Sequence, residues 1–389
     1  MSIATPLGRR LALYYAALFI VTGIQLPFWP LYLSSKGLAA PDIGRLLAAA
    51  YLAKIVTNPV IGHLADRWGT RRGLIAALAT ISLAATALFA PAEGFLAILA
   101  VTLVSQAAYT AIMPLGDSLT MQCTISHRLD YGRIRLWGSL SFIVTASLAG
   151  HFLTQGPRDM ILWASLAALT VNLVVTFWLP DVRTPRTESR PASLRPLLGN
   201  RLFQLFLACC SLGQASHMIY YGFATLHWRT AGLSGTVIGA LWAEGVIAEV
   251  LLFAFGARAI ARFGPASLMM AMGAAGILRW CVMAFTTAAP VLALVQLLHA
   301  FTFAAGHLGA MHFIGRAVPG GLSARAQGIY AAVVTGVASG IAMLGAGSLF
   351  QALAGGSFLV MVVMSAASTL LALALKRRWN GRTLETVPK

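Results

Sequence analysis

The chain has 389 residues, of which 58% are hydrophobic and only 10% charged, with a mean hydropathy of +0.79. Soluble domains carry about 25% charged residues, so a soluble enzyme of this size is excluded. The formal charge of +17 would point to nucleic acid in a soluble chain, but the basic excess of cytoplasmic loops accounts for it in a membrane protein.

Arg9 and Arg10 precede an apolar stretch, 11–33, that has no small-residue cleavage site; it reads as a first span and not as a signal peptide. Further apolar segments follow at 41–62, 73–91, 95–122, 133–154, 160–180, 201–227, 235–256, 267–287, 289–315, 326–353 and 357–375. A backbone in lipid must make its own hydrogen bonds, so all of them are predicted to be helices. The expected fold is an all-α integral membrane protein with twelve transmembrane helices in two six-helix bundles. Cys123, Cys209, Cys210 and Cys281 lie in or near these segments without metal-type spacing, and are read as small hydrophobes.

An even number of spans with the N-terminus inside places 22 of the 28 Lys and Arg residues in cytoplasmic segments. Only Lys36, Arg158 and Arg229 fall in outer loops, and Arg45, Lys54 and Arg279 fall within spans. This asymmetry predicts that both termini are cytoplasmic, and the localisation expected for the multi-pass chain is the bacterial inner membrane.

The longest polar stretch, Asp181–Asn200, holds Pro185, Pro191 and Pro196 and divides the spans six and six. The expected organisation is a first bundle at 1–180, a cytoplasmic linker at 181–200, a second bundle at 201–376 and a tail at 377–389. The halves repeat. Gly37-Leu38 with Ile43-Gly44 matches Gly232-Leu233 with Ile238-Gly239, and Arg67-Trp68-Gly69 matches Arg262-Phe263-Gly264, at one ungapped offset of 195 residues. Parallel six-span repeats of this kind form one of the transporter architectures.

Between spans two and three stands Gly62-His63-Leu64-Ala65-Asp66-Arg67-Trp68-Gly69-Thr70-Arg71-Arg72. This resembles the G-x-L-A-D-[RK]-x-G-[RK]-[RK] loop of the major facilitator superfamily. The resemblance implies a conformational lock built on Gly62, Asp66, Arg67, Gly69 and Arg71, with Gly62 allowing close helix approach and Asp66 accepting from basic groups. Thr70 departs from the pattern, and the second-half copy has Ala261 where an acid would stand.

Ionisable groups inside a membrane are costly unless paired or hydrated, which makes each a functional candidate. They are Lys54, Asp117, Glu244, Glu249, Arg279 and His299, with Arg45 and Arg135 near span ends. The run Tyr131-Gly132-Arg133-Ile134-Arg135-Leu136-Trp137-Gly138 resembles the start of span five in the lactose-permease family, where the second arginine pairs with a span-four acid at the substrate site. That resemblance implies an Asp117–Arg135 pair at the substrate, with Trp137 beside it; a purely structural ion pair is the plain alternative. It also places Arg279 and His299 at the family's span-nine arginine and span-ten histidine. The family's proton-carrying glutamate is here Thr302, so coupling needs another acid, with Glu249 the first candidate and Glu244 the second. Glu244 and Glu249 are five residues apart and do not share a helix face.

His299, Phe303 and His307 recur every four residues and predict one stripe on span ten. Lys54 stands before Asn58-Pro59, with Asp117 as a possible partner and snorkelling as the alternative. Phe28-Trp29-Pro30, Tyr109, Trp137, Tyr220-Tyr221 and Trp242 could line a cavity, although many membrane aromatics face lipid or the interface. The Gly37-Leu38, Trp242–Val250 and Leu298–Phe303 segments are similar to phenylpropionic-acid permeases of the same superfamily.

The expectation is therefore a secondary active transporter working by alternating access, a proton-coupled symporter of a small aromatic organic acid. Lys54, Asp117, Arg135, Trp137, Arg279 and His299 are its expected substrate residues. Glu249, Asp117, His299 and Glu244 are the proton-coupling candidates. A sugar or nucleoside proton symporter is the alternative, with drug export behind it. No H-E-x-x-H, G-x-S-x-G or phosphate-binding glycine loop is present, so an enzyme is not expected. The partners expected are substrate, protons and lipid, with no nucleic acid, cofactor or metal, and a monomer.

Overall fold

The computed structural model describes residues 5–182 and 195–384, without the side chains of 256–261 and 324. Most of the expected linker, 183–194, and the last five residues of the tail lie outside the described residues. Among the described residues the chain is helical with no strand.

In the first half, α1 (Pro6–Ser35), α2 (Ala40–Trp68), α3 (Arg72–Ala87), α4 (Gly94–His127), α5 (Tyr131–Leu153) and α6 (Asp159–Thr176) cover the six predicted spans. A four-residue helix, α7 (Arg195–Leu198), precedes the second half. There span seven is divided into α8 (Arg201–Ala215) and α9 (Met218–Thr230), followed by α10 (Gly235–Phe263) and α11 (Pro265–Phe285). Span ten is α12 (Ala289–Gln296), a π-helical turn at Ala300–Ala305, and α13 (Gly306–Ala317). Span eleven is α14 (Ser323–Tyr330), a second π-helical stretch at Ala331–Ala338, and α15 (Ser339–Leu353); α16 (Phe358–Arg378) closes the chain.

Nine described helical stretches are long and apolar enough to cross a membrane, with Arg325–Arg378 running through two predicted spans as one. The apolar α3 is shorter, at 16 residues. Span two is the polar exception. α2 has 29 residues, but Asp42, Arg45, Lys54, Asp66 and Arg67 interrupt its apolar face.

Local chemistry sets the ends. Thr5 caps α1 by accepting from the Gly8 amide, Asp130 caps α5 through Arg133 N, and Asn200 caps α8 through Leu202 N and Phe203 N. The internal repeat is visible in the backbone. α2 and α10 each run 29 residues, and their bounds differ by the same 195-residue offset. Gly37 and Gly232 have φ of 80° and 89°, and Gly69 and Gly264 have φ of 66° and 73°. Each pair occupies the left-handed region that glycine alone enters without strain, so the repeated glycines end equivalent helices.

By contacts the chain divides into two units, Met1–Glu188 with Trp228–Ala243, and Ser189–His227 with Glu244–Lys389. In the first, α1 packs on α5 and α6 around Tyr14, Tyr15, Leu18, Ile75, Ile112 and Leu119. This unit also contains a tight crossing between the end of α5 and the start of α10. A Cβ on Gly150 would sit 2.4 Å from the Gly235 carbonyl oxygen, and one on Gly239 would sit 2.4 Å from that of Ala146. His151 Nδ1 and Thr236 Oγ1 lie 3.0 Å apart beside it.

In the second unit α11 packs on α16 and α13, and a core of Phe203, Phe206, Met269, Phe313 and Ile314 lies at one end. The chain after α16 turns back onto that end. Leu384 N donates to the Ala317 carbonyl over 2.7 Å, Leu384 joins the core beside Leu197, and Trp379 packs edge-on against Phe313 at 4.8 Å. The last carbonyls of a helix have no partner within it, so this segment caps the end of α13.

Candidate substrate and proton site

In the first unit, Asp117 lies one turn beyond Pro114 on α4. Its Oδ1 accepts from the Tyr15 hydroxyl of α1 and, over 3.0 Å, from the Tyr131 hydroxyl of α5. Arg135 is one turn further along α5. Its guanidinium carbon lies 4.1 Å from the centre of the Phe19 ring and 5.4 Å from that of Tyr15. Gly138 leaves room for this arrangement, since a Cβ there would meet Phe19 Cδ2 at 2.9 Å and Arg135 Nη1 at 3.0 Å.

The Asp117–Arg135 ion pair implied by the family resemblance is therefore not formed: among the described residues no ion pair within 4 Å includes either side chain. Two tyrosine hydroxyls supply the donors that Asp117 needs, and aromatic faces hold the arginine; each such cation–π contact contributes about 0.5–2 kcal/mol. Lys54 does not pair with Asp117 either, and its Nζ lies 4.5 Å above the centre of the Tyr51 ring. Trp137 is 47% exposed on α5.

In the second unit the expected residues converge. Arg279 is fully buried on α11. Its Nη1 donates to His299 Nδ1 over 2.9 Å and to Thr302 Oγ1 over 3.0 Å, and its Nη2 donates to Gln296 Oε1 over 2.6 Å. Gln296 in turn donates to the Tyr220 hydroxyl over 2.9 Å. The Trp280 and Tyr220 rings flank the guanidinium at 4.5 and 4.6 Å. Span ten turns all three acceptors toward Arg279 across the junction between α12 and the π-helical turn; such turns recur at functional sites.

His299 Nε2 lies 3.7 Å from Glu249 Oε2 of α10. Gly245, one turn earlier, faces the same imidazole, with a Cβ position 3.5 Å from it. Glu249 thus lies on the face of α10 toward span ten, whereas among the described residues Glu244 makes no hydrogen bond or ion pair with this cluster. The predicted stripe is present as stacked rings, His299 on Phe303 at 5.5 Å and Phe303 on His307 at 6.5 Å.

The cluster also contains residues that the sequence reading did not single out. Gln296 and Trp280 carry no charge, so within apolar spans their residue types give no signal of function. His217 lay inside a continuous apolar run, and only its imidazole marked it. It occupies the break between α8 and α9, 1% exposed, with its ring edge-on to Trp280 at 5.1 Å.

At the loop between α2 and α3, Asp66 Oδ1 accepts from Arg71 Nη2 over 3.3 Å. Arg71 is 7% exposed; its Nε donates to Ser118 Oγ over 2.9 Å and its Nη1 to the Gln122 amide oxygen. Arg72 and Thr70 both reach Asp181, at 3.4 and 3.3 Å. Gly69 closes α2 in the left-handed conformation, and Arg67 is exposed. Gly62 does not serve close helix approach, because a Cβ there would meet nothing within 4 Å. A cavity of about 170 Å³ lies beside it instead, lined by Asn58, Asp66, Arg71, Pro114 and Ser118 among others.

Twelve helical spans in two repeated halves, with a buried arginine and half-buried acids within the spans, define a membrane transporter. The chain matches the MFS_1 like family over residues 9–360 and belongs to that family of the major facilitator superfamily. It is 34% identical over 371 residues to a protein of Escherichia coli (strain K12) named "Probable 3-phenylpropionic acid transporter", covering 93% of this chain and 96% of that one. It is 25% identical over 378 residues to the maltose permease of Geobacillus stearothermophilus, covering 94% of each. Its fold is similar to the crystal structure of the nucleoside transporter NupG, with a TM-score of 0.80 and 19% identity over 97% of this chain and 100% of that one.

Proposed function

We propose that this transporter is a proton-coupled symporter of the bacterial inner membrane that imports a small aromatic carboxylate, with both termini cytoplasmic. The observation that carries the reading is Arg279: it is fully buried, its hydrogen-bond partners are neutral, and it forms no ion pair among the described residues. A buried cation is stable only when paired and hydrogen-bonded. Thr302 stands where the related symporters carry an acid, so the missing counter-charge is assigned to the substrate. Trp280 and Tyr220 beside the guanidinium suit an aromatic ring, and the name of the E. coli relative agrees in chemical class.

Proton coupling follows from the order of bonds. Arg279 donates to His299 Nδ1, so that nitrogen presents its lone pair and the ring proton sits on Nε2, facing Glu249. The acid thereby senses the occupancy of Arg279 through one imidazole. Protonation of Glu249 removes a negative charge from the cluster as the substrate anion brings one in. Asp117, held by two tyrosines, and Arg135, held on Phe19, are the first-half candidates, and Lys54 is a further cation for the carboxylate. Alternating access between the two half-repeats then carries cargo and proton together.

The test is uptake of labelled 3-phenylpropionate by membrane vesicles under an imposed inward proton gradient. Accumulation that collapses with an uncoupler supports the reading. Uptake insensitive to the uncoupler overturns the coupling, and competition by neutral sugars or nucleosides in place of aromatic acids overturns the substrate class.

A further inference from the structure

Span seven breaks at Ser216-His217, where the Ser216 hydroxyl and the His217 ring both turn back to the Gly213 carbonyl. Interrupted spans free polar groups at the binding sites of transporters, and this break inserts an imidazole beside Arg279. The carbonyl oxygen of Gly213 only accepts, so the bond of 3.1 Å to Nδ1 fixes the ring proton there. Nε2 is left as a bare lone pair.

Among the described residues, two polar atoms of this cluster are buried without a hydrogen-bond partner, Nε2 of His217 and Nε of Arg279; Nε1 of Trp280 is also bare, but it lies over Gly276 beside the equally unpaired Ser365 Oγ. Their side chains are neighbours, with His217 and Trp280 ring centres 5.1 Å apart and the Arg279 guanidinium 4.5 Å from the Trp280 ring. The arginine nitrogen is a donor and the histidine nitrogen an acceptor. A carboxylate satisfies the Arg279 N–H but has no proton to offer the histidine. Buried polar groups in native proteins are nearly always satisfied, so the remaining lone pair calls for a donor on the cargo.

We propose that His217 accepts a hydrogen bond from a hydroxyl group of the substrate, making the preferred cargo a hydroxylated small aromatic acid. The inference rests on the anion reading of Arg279 and deepens it, with His217 as the residue that sets specificity. A site built to bond a hydroxyl discriminates strongly against the analogue that lacks one, because its own polar atom is then left bare.

The experiment measures binding to the purified full-length transporter by ligand-dependent thermal stabilisation. The probes are 3-phenylpropionate, its ring-hydroxylated and 2-hydroxy derivatives, and the methyl ether of each, which keeps the oxygen but cannot donate. At least one hydroxylated acid is expected to bind about tenfold or more tightly than both the parent and its own ether. The His217→Phe variant should bring that ratio to near one, and His217→Gln, which retains an acceptor oxygen, should hold it between the two. The inference is overturned if the wild type binds the parent as tightly as every hydroxylated acid, the result expected were water the natural occupant. It is equally overturned if the preference survives in His217→Phe; should that variant fail to fold, an unchanged ratio in His217→Gln together with equal binding of alcohol and ether decides against it. Binding of no acid, parent included, would instead strike the anion reading itself.

Discussion

Arg279 and His299 share a hydrogen bond of 2.9 Å in which the guanidinium must be the donor. One face of the imidazole is thereby committed to the cation, and the opposite nitrogen is presented to Glu249 at 3.7 Å. Three residues from three spans form a line, and under the proposed function anion binding at one end and protonation at the other would act on the same ring.

Substituting Glu249→Gln should separate substrate exchange from proton-driven accumulation. Uphill uptake is expected to fall by more than tenfold while counterflow of preloaded substrate, which needs no net proton movement, persists. Vesicle uptake compared with counterflow in the same preparation checks this. Retained uphill uptake would remove Glu249 from the coupling path.

Arg279→Lys keeps the charge and should still fail. A guanidinium reaches His299, Thr302 and Gln296 in fixed directions, whereas an ammonium on a shorter stem is a point charge without that fork. Leaving a buried acceptor unpaired costs about 1–3 kcal/mol, and a loss of that size at the substrate lowers affinity roughly tenfold to a hundredfold. Binding measured beside Arg279→Gln, where the loss should be complete, tests the assignment.

The Tyr15→Phe change removes one of the two hydroxyls on Asp117. Hydrogen bonds to a charged acceptor contribute about 1.5–3 kcal/mol, so the purified protein should melt at a lower temperature. The double variant Tyr15→Phe with Asp117→Asn should lose less than the sum of the single changes. Additive losses would mean that the two residues do not interact.

Gly150→Val places two methyl groups where α5 meets Gly235 and Gly239 of α10. Overpacking typically costs about 1–3 kcal/mol, and here the opposing atoms are backbone that no rotamer change can move. Lower thermal stability is expected, together with faster labelling of a cysteine introduced at Thr236 as the crossing is forced apart. Unchanged labelling would show that the crossing is looser than its geometry.

Much of this architecture could be read from the residues alone. Lipid demands long apolar helices, and the glycines at 37, 69, 232 and 264 fixed the repeat because each ends a helix with a backbone angle that other residues avoid. The lactose-permease resemblance, counted from Arg262-Phe263-Gly264, puts Arg279 and His299 at one site with Glu249 as its candidate acid, and the three side chains lie together. It failed at Asp117 and Arg135, where register put the side chains in the right region but two tyrosines and a phenylalanine competed successfully for them. The break at Ser216-His217 and the π-helical turn after His299 left no mark, as neither carries the proline that punctuates other spans. Those irregularities are set by tertiary packing, and His217 was missed with them.

The bond from Leu384 to Ala317 bears on how the protein is handled. Span ten, which presents His299 to Arg279, is tethered at its far end to the segment that follows α16. A purification handle or fluorescent reporter fused there would tug on the helix that holds the histidine, whereas one joined ahead of Thr5 would leave it undisturbed.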